Sequence, residues 1–214
     1  VPRTRAATAW VALVVAVLPL AAAGCGGPSA EETARARAAF QTCAACHGAE
    51  GQGDREVGAP NLAGLPAWYV VGQLRKFQIG HRAYVPEDTV GRRMATAAQT
   101  LTSADDAVAV GRWLESLPPA PPPPTVQGDA RAGRVAYQAC ISCHEKDGSG
   151  RKDKNAPPLP GLADWYVVAQ LQQFRDGRRG TKTNDPSGTT MRPVSIPLSD
   201  ADIRNLAAYL ATMR

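Results

Sequence analysis

A 97-residue internal repeat constrains this chain more than anything else in its sequence. Shifting the sequence by 97 positions lays Cys43, Cys46 and His47 on Cys140, Cys143 and His144, and Phe40 and Gln41 on Tyr137 and Gln138. Pro60, Leu62 and Gly64 fall on Pro157, Leu159 and Gly161, WYVVGQLRKF (68–77) falls on WYVVAQLQQF (165–174), and Met94 falls on Met191. Near the end the register slips by one, so that Asp106, Trp113 and Leu114 pair with Asp202, Tyr209 and Leu210. A match held this long is a duplication, and one structural unit is encoded twice.

Between the copies lies PPAPPPPTVQ, residues 118–127. Its prolines lack the backbone donors that a helix or sheet requires and favour an extended chain. At about 3.1 Å per residue it could reach roughly 30 Å. The expected organisation is an export segment at 1–24, a first domain at 25–117, the linker at 118–127 and a second domain at 128–214.

Each copy reads as all-α, with three helical segments. The first, Glu31 to Cys46 and Asp129 to Cys143, is rich in alanine, arginine and glutamine and runs directly into the cysteines. The middle one, Pro66 to Phe77 and Ala163 to Phe174, carries apolar residues near helical spacing at Tyr69, Val70, Leu74 and Phe77 and at their counterparts. Gly80 and Gly177 follow as stops. The last begins at Ser103 or Ser199 with an aspartate three residues on, a variant of the capping box. Three short helices bury little surface, and a domain of this size is marginal unless something else fills its interior.

The chemistry rests on CAACH, residues 43–47, and CISCH, residues 140–144. Cys-x-x-Cys-His is the haem-attachment signature: two thiols form thioethers to the porphyrin vinyl groups, and the adjacent imidazole reaches the iron. The competing readings are a disulfide, a redox dithiol and zinc ligation. A dithiol site needs a βαβ setting that is missing here, and zinc sites rarely place their cysteine pairs so far apart. Covalent attachment is therefore assigned to Cys43, Cys46, Cys140 and Cys143, for two haem c groups. His47 and His144 are the first axial iron ligands. Met94 and Met191 each follow their histidine by 47 residues, and that shared spacing makes them the second axial ligands; a thioether closes the iron site and raises its potential. Core filler is the alternative fate for a methionine, and Met213 on the last helix is expected to be such filler. His81, whose counterpart is Arg178, breaks the symmetry and is expected at the surface.

The N-terminus reads as an export signal. Arg3 and Arg5 precede an apolar run from Trp10 to Leu20, and small residues Ala21, Ala22, Ala23 and Gly24 lead to Cys25. That run covers about 17 Å as a helix, short of a roughly 30 Å hydrocarbon core, so cleavage is favoured over a spanning anchor. Ala-Ala-Gly-Cys resembles a bacterial lipoprotein box and makes Cys25 the candidate lipidation site; ordinary cleavage after Ala23 is the competing reading. Without Arg3 and Arg5 the chain keeps 22 basic and 19 acidic residues, too even a balance for a nucleic-acid partner.

The two-copy layout, the paired CxxCH motifs, the Pro-x-Leu after each, the Trp-Tyr middle helix and the late methionine resemble the cytochrome c-four family, dihaem proteins of two class I cytochrome c domains. The resemblance covers nearly everything from about residue 31 onward. It implies haems that meet near the domain interface and a periplasmic carrier of single electrons toward a terminal oxidase. It also implies that Pro60 and Pro157 offer carbonyls to the ligating histidines, and it places Trp68, Tyr69, Trp165 and Tyr166 at the haem propionates, with plain core packing as the alternative. The proline linker and the lipoprotein-like box depart from the family pattern.

Three functions follow in order of preference. The first is an electron carrier, not an enzyme, with redox proteins such as a quinol-cytochrome c reductase as donor and a terminal oxidase as acceptor, held at the membrane through its lipid. The second is the cytochrome subunit of a periplasmic dehydrogenase. The third is a dihaem enzyme, a peroxidase or thiosulfate-oxidising type, which needs an open iron where both copies here offer methionine.

Overall fold

The computed structural model describes residues 27–213; the expected export segment and Cys25 lie outside them. Among the described residues the chain is helical, with no strand and only two isolated bridges, Asp54 to Ala59 and Arg151 to Ala156. The first copy contains α1 (Ala30–His47), α2 (Ala67–Gln78), α3 (Thr89–Ala98) and α4 (Ala104–Ser116). The second contains α5 (Ala130–Ala136), α6 (Ile141–His144), α7 (Asp164–Arg175), α8 (Pro186–Ser195) and α9 (Asp200–Leu210), with 3₁₀ turns at Tyr137–Ala139 and Lys152–Lys154. No described helix is long and apolar enough to cross a membrane.

Both copies are built alike. The first helix packs on the last, α1 on α4 and α5 on α9; the middle helix packs on the last and carries the methionine helix, α3 or α8, on its other side. Phe40 meets Trp113 edge-on at 5.0 Å, and their counterparts Tyr137 and Tyr209 meet at 5.5 Å. Such pairs add about 0.5–1.5 kcal/mol to plain burial. Tyr137 is 1% exposed, and its hydroxyl donates to the Glu145 carbonyl at 2.9 Å, which satisfies the one polar atom that Phe40 lacks.

The structure corrects three expectations. The second CxxCH segment is not one helix but α5, a 3₁₀ turn and α6. Gly133 stands where the first copy has the fully buried Ala36, and a Cβ there would sit 1.9 Å from the Asn205 carbonyl oxygen. The crossing of α5 and α9 thus requires a glycine, which disfavours helix by about 1 kcal/mol, and Ile141 replaces Ala44 further on. Each copy also holds a fourth helix, α3 or α8, bearing the late methionine. Its start is set by an aspartate cap, Asp88 or Asp185. Finally, His81 is not a surface residue: it is 7% exposed, folded back as its N–H bonds the Lys76 carbonyl just past the end of α2.

Residues 118–129 form no regular element. The end of this segment is tied down at Asp164, whose carboxylate accepts from the Thr125 and Val126 N–H groups and from the Thr125 hydroxyl. Met213 lies just beyond α9 and packs against the second core.

Candidate haem site

Each CxxCH segment ends a helix whose last residue is the histidine. After His47 the chain reverses through Gly48, at φ +77°, and after His144 through Glu145, at φ +62°. The Gly53 N–H bonds the His47 carbonyl at 2.8 Å and the Gly150 N–H bonds the His144 carbonyl at 3.1 Å. Those two glycines let the following loop return close by. A Cβ on Gly53 would lie 2.5 Å from the Asn61 nitrogen, and one on Gly150 2.5 Å from the Pro157 carbonyl carbon. The return brings the Pro60 carbonyl 2.8 Å from His47 Nδ1, and the Pro157 carbonyl 2.9 Å from His144 Nδ1.

A carbonyl only accepts, so in both rings Nδ1 carries the proton and Nε2 keeps its lone pair. Burial lowers both histidine pKa values, and the proline carbonyl opposes this only in part. Two neutral imidazoles, oriented and with Nε2 unprotonated, are the form that binds iron.

None of the four CxxCH cysteines is in a disulfide. Burial raises Cys43, and burial followed by the neighbouring Cys143 pushes Cys140 up to about 11. In the second copy Cys140, Cys143, His144 and Met191 line one cavity whose apolar wall includes Val167, Leu171, Phe174 and Leu206. In the first copy Cys43 and Met94 pack on the core together with Tyr69. Two thiols beside an oriented imidazole, a thioether and an apolar wall fit a porphyrin bound by two bonds and ligated at its iron. No cluster of three His, Cys, Asp or Glu groups suited to a metal ion occurs among the described residues.

Spacing alone did not reveal the polar seam between the copies. Arg82 donates to Gln73 of its own copy and to Gln170 of the other, both at 3.0 Å. Its counterpart Arg179 donates to Gln170 and, at 2.9 Å, to Gln73. Each guanidinium stacks on a phenylalanine of its own middle helix, Arg82 on Phe77 at 4.1 Å and Arg179 on Phe174 at 4.4 Å. Tyr69 lies beside Arg179, and Tyr166 beside Arg82. Both arginines are buried, their partners are neutral, and Arg179 Nε has none; burial and then Arg82 depress the Arg179 pKa. Neither guanidinium bonds a carboxylate, and the buried carboxylate that acts on Arg179, Asp185, is already paired with Lys76. Tyr69, Gln73 and Lys76 of the first copy line the second copy's cavity together with Arg179, so carboxylates on a group filling that cavity would meet the Arg179 guanidinium there. The signal in the sequence was that Gln73, Arg82 and Asp88 recur unchanged as Gln170, Arg179 and Asp185.

Trp68 and Tyr69 form an edge-on pair at 5.8 Å, as do Trp165 and Tyr166 at 6.0 Å. The tyrosines face the seam.

Comparison with known proteins agrees with this geometry. Residues 33–118 and 130–214 each match the cytochrome c family. The thiosulfate dehydrogenase electron acceptor of Thiomonas intermedia is 32% identical over 92% of this chain and 89% of its own length. Cytochrome c4 of Pseudomonas aeruginosa is 32% identical over 85% and 89%. Among solved structures, the thiosulfate dehydrogenase TsdBA of Marichromatium purpuratum superposes with a TM-score of 0.69 at 32% identity, covering 84% of this chain, which spans 40% of that one. Reduced cytochrome c4 of Pseudomonas stutzeri superposes with a TM-score of 0.63 at 26% identity, covering 86% of this chain and 98% of that one. With the family matched once in each copy, and with relatives of the same two-copy length, this chain belongs to the cytochrome c family as an electron-transfer protein of the dihaem cytochrome c4 type.

Proposed function

We propose that the chain holds one haem c in each domain, 25–117 and 128–214, and passes single electrons between periplasmic redox proteins. Thioethers form at Cys43 and Cys46 and at Cys140 and Cys143; His47 and Met94 ligate one iron, His144 and Met191 the other. When bound, the haem supplies a ferric-ferrous couple that takes up one electron at a time. The protein's part is to fix and tune it. The Pro60 and Pro157 carbonyls hold the imidazoles in one tautomer and orientation, and the apolar wall keeps water from the second site. The methionines favour the ferrous state, as do the arginines of the seam.

The observation that carries this reading is the doubled contact of a proline carbonyl with the histidine of a CxxCH motif. The test is haem content of the exported protein. Two haems per chain should remain after acid-acetone extraction, with the weak near-infrared band of methionine-ligated ferric haem; one haem, or extractable haem, would overturn it.

Such a carrier would take electrons from a donor such as a quinol-cytochrome c reductase and pass them to an acceptor such as a terminal oxidase. The Ala-Ala-Gly-Cys stretch supports export with lipid attachment at Cys25, several acyl chains together giving stable anchoring. Cys25→Ser should then release the protein from the membrane fraction. A second reading, the electron-accepting subunit of a dehydrogenase, is favoured by the relative named thiosulfate dehydrogenase electron acceptor. Co-purification of a dehydrogenase with the native protein would support it; purification free of one would support the carrier.

A further inference from the structure

The methionine helix of each copy is tied to the opposite copy, and the two ties differ in kind. Helix α8 begins at Asp185, whose carboxylate accepts the Gly188 N–H at 3.1 Å. Lys76 of α2, in the first copy, pairs with the same oxygen at 2.7 Å and donates to the Ser187 hydroxyl. The Asp185 side chain is wholly buried and that of Lys76 18% exposed. At the equivalent place Asp88 caps α3 through the Gly91 N–H at 2.9 Å, but its partner across the seam is the neutral Gln173, at 3.3 Å. In both caps a Cβ on the glycine would fall about 2 Å from the carboxylate, at 2.1 Å for Gly91 and 2.2 Å for Gly188, so cap and helix start move as one piece.

The helices differ as well. Pro193 lies inside α8, two residues after Met191, where it removes a backbone donor and crowds the preceding turn; α3 carries no proline. The helix with the weaker backbone is the one held by a charged partner.

We infer that Lys76 is a positioning residue for Met191: the first domain, through the Lys76-Asp185 pair, holds the iron-ligand helix of the second domain, and no comparable dependence runs the other way. This rests on the reading of Met94 and Met191 as iron ligands. Removing Lys76 takes the ion-pair partner from a buried carboxylate at the first turn of α8 and leaves it the Gly188 N–H and the Ser187 hydroxyl, and the loss is felt six residues on, at the methionine.

Imidazole titration of the full-length ferric holoprotein tests this, followed by the near-infrared methionine band. In a Met94→Ala background that band reports only Met191, and in a Met191→Ala background only Met94. Lys76→Gln, which copies the Gln173 arrangement, should tighten imidazole binding against Met191 by about tenfold, the scale of one charge-assisted bond, and leave Met94 unchanged. Lys76→Arg should restore the native value, and Gln173→Ala should shift Met94 by less than about twofold. Should the glutamine variant fold poorly, Lys76→Leu keeps the packing of the stem and should show the same selectivity. An unchanged Met191 titration, or equal shifts at both methionines, would overturn the inference. A native protein with no methionine band would overturn the ligand assignment beneath it, an outcome distinct from a band that ignores Lys76.

Discussion

The guanidinium of Arg82 donates to the side-chain carbonyl of Gln170 in the other copy, 3.0 Å away. With the reciprocal bond from Arg179 to Gln73 at 2.9 Å, this makes the interface nearly two-fold symmetric, with each arginine shared by both domains. Charge placed at the seam therefore acts on both irons. Reduction adds an electron, which nearby positive charge favours. Arg179→Gln should lower both haem potentials, by tens of millivolts, where a change within one domain would move only one. A redox titration of the variant decides, and a single shifted wave would show that the seam does not couple the sites.

Asp164 is 4% exposed and is the anchor of the linker. Burial opposes its charge, but the Val126 and Thr125 N–H groups, the Thr125 hydroxyl and the Trp165 N–H outweigh this and hold its pKa below the ordinary value. The stabilisation is complete above the unfolded aspartate value of about 3.9 and is lost as pH falls through the lower folded value. Amide exchange at Thr125 and Val126 should be protected from neutral pH down to about 4 and should lose protection below it. Asp164→Ala should reduce that protection at least tenfold at neutral pH, since bonds to a charged acceptor contribute about 1.5–3 kcal/mol each. Unchanged exchange in the variant would mean that the linker is held elsewhere.

Met94→Ala and Met191→Ala should each open one iron to exogenous ligands and lower its potential, because the thioether favours the ferrous state. Only one haem should respond in each variant. Full retention of the near-infrared band in both variants would exclude these residues as ligands.

The parts of this molecule that were legible in the sequence are those set by local chemistry. CxxCH and the serine cap of the last helix are each read from a few adjacent positions, whereas the proline contact to each histidine came only with the family resemblance. The capping box at Ser199 and Asp202 forms in both directions, whereas at Ser103 the reciprocal group, Asp106, turns to Arg35 instead. Packing between segments decides the rest. His81 reads as a lone surface residue because nothing in its own segment reveals that the chain folds back over the end of α2. Asp88 and Asp185 look like loop residues until a helix is seen to start at each. The break between α5 and α6 follows from the fit of Gly133 against Asn205, 72 positions away.

The last expectation concerns the direction of electron flow. From Cys25 to Leu117 there are nine basic and ten acidic residues, and from Gly128 to Arg214 thirteen basic and nine acidic, a difference of five charges between the domains. One charge about 12 Å from an iron contributes roughly 0.35 kcal/mol in water before salt screening, or about 15 mV for one electron. The haem at Cys140 and Cys143 should therefore have the higher potential, by tens of millivolts, and electrons should enter at the first domain and leave from the second. An acidic acceptor would dock on the more basic domain, with association slowing as salt is added. A redox titration of the intact protein, its two waves assigned with the Met94 and Met191 variants, measures the order directly. A higher potential at the haem of Cys43 and Cys46 would reverse the proposed direction.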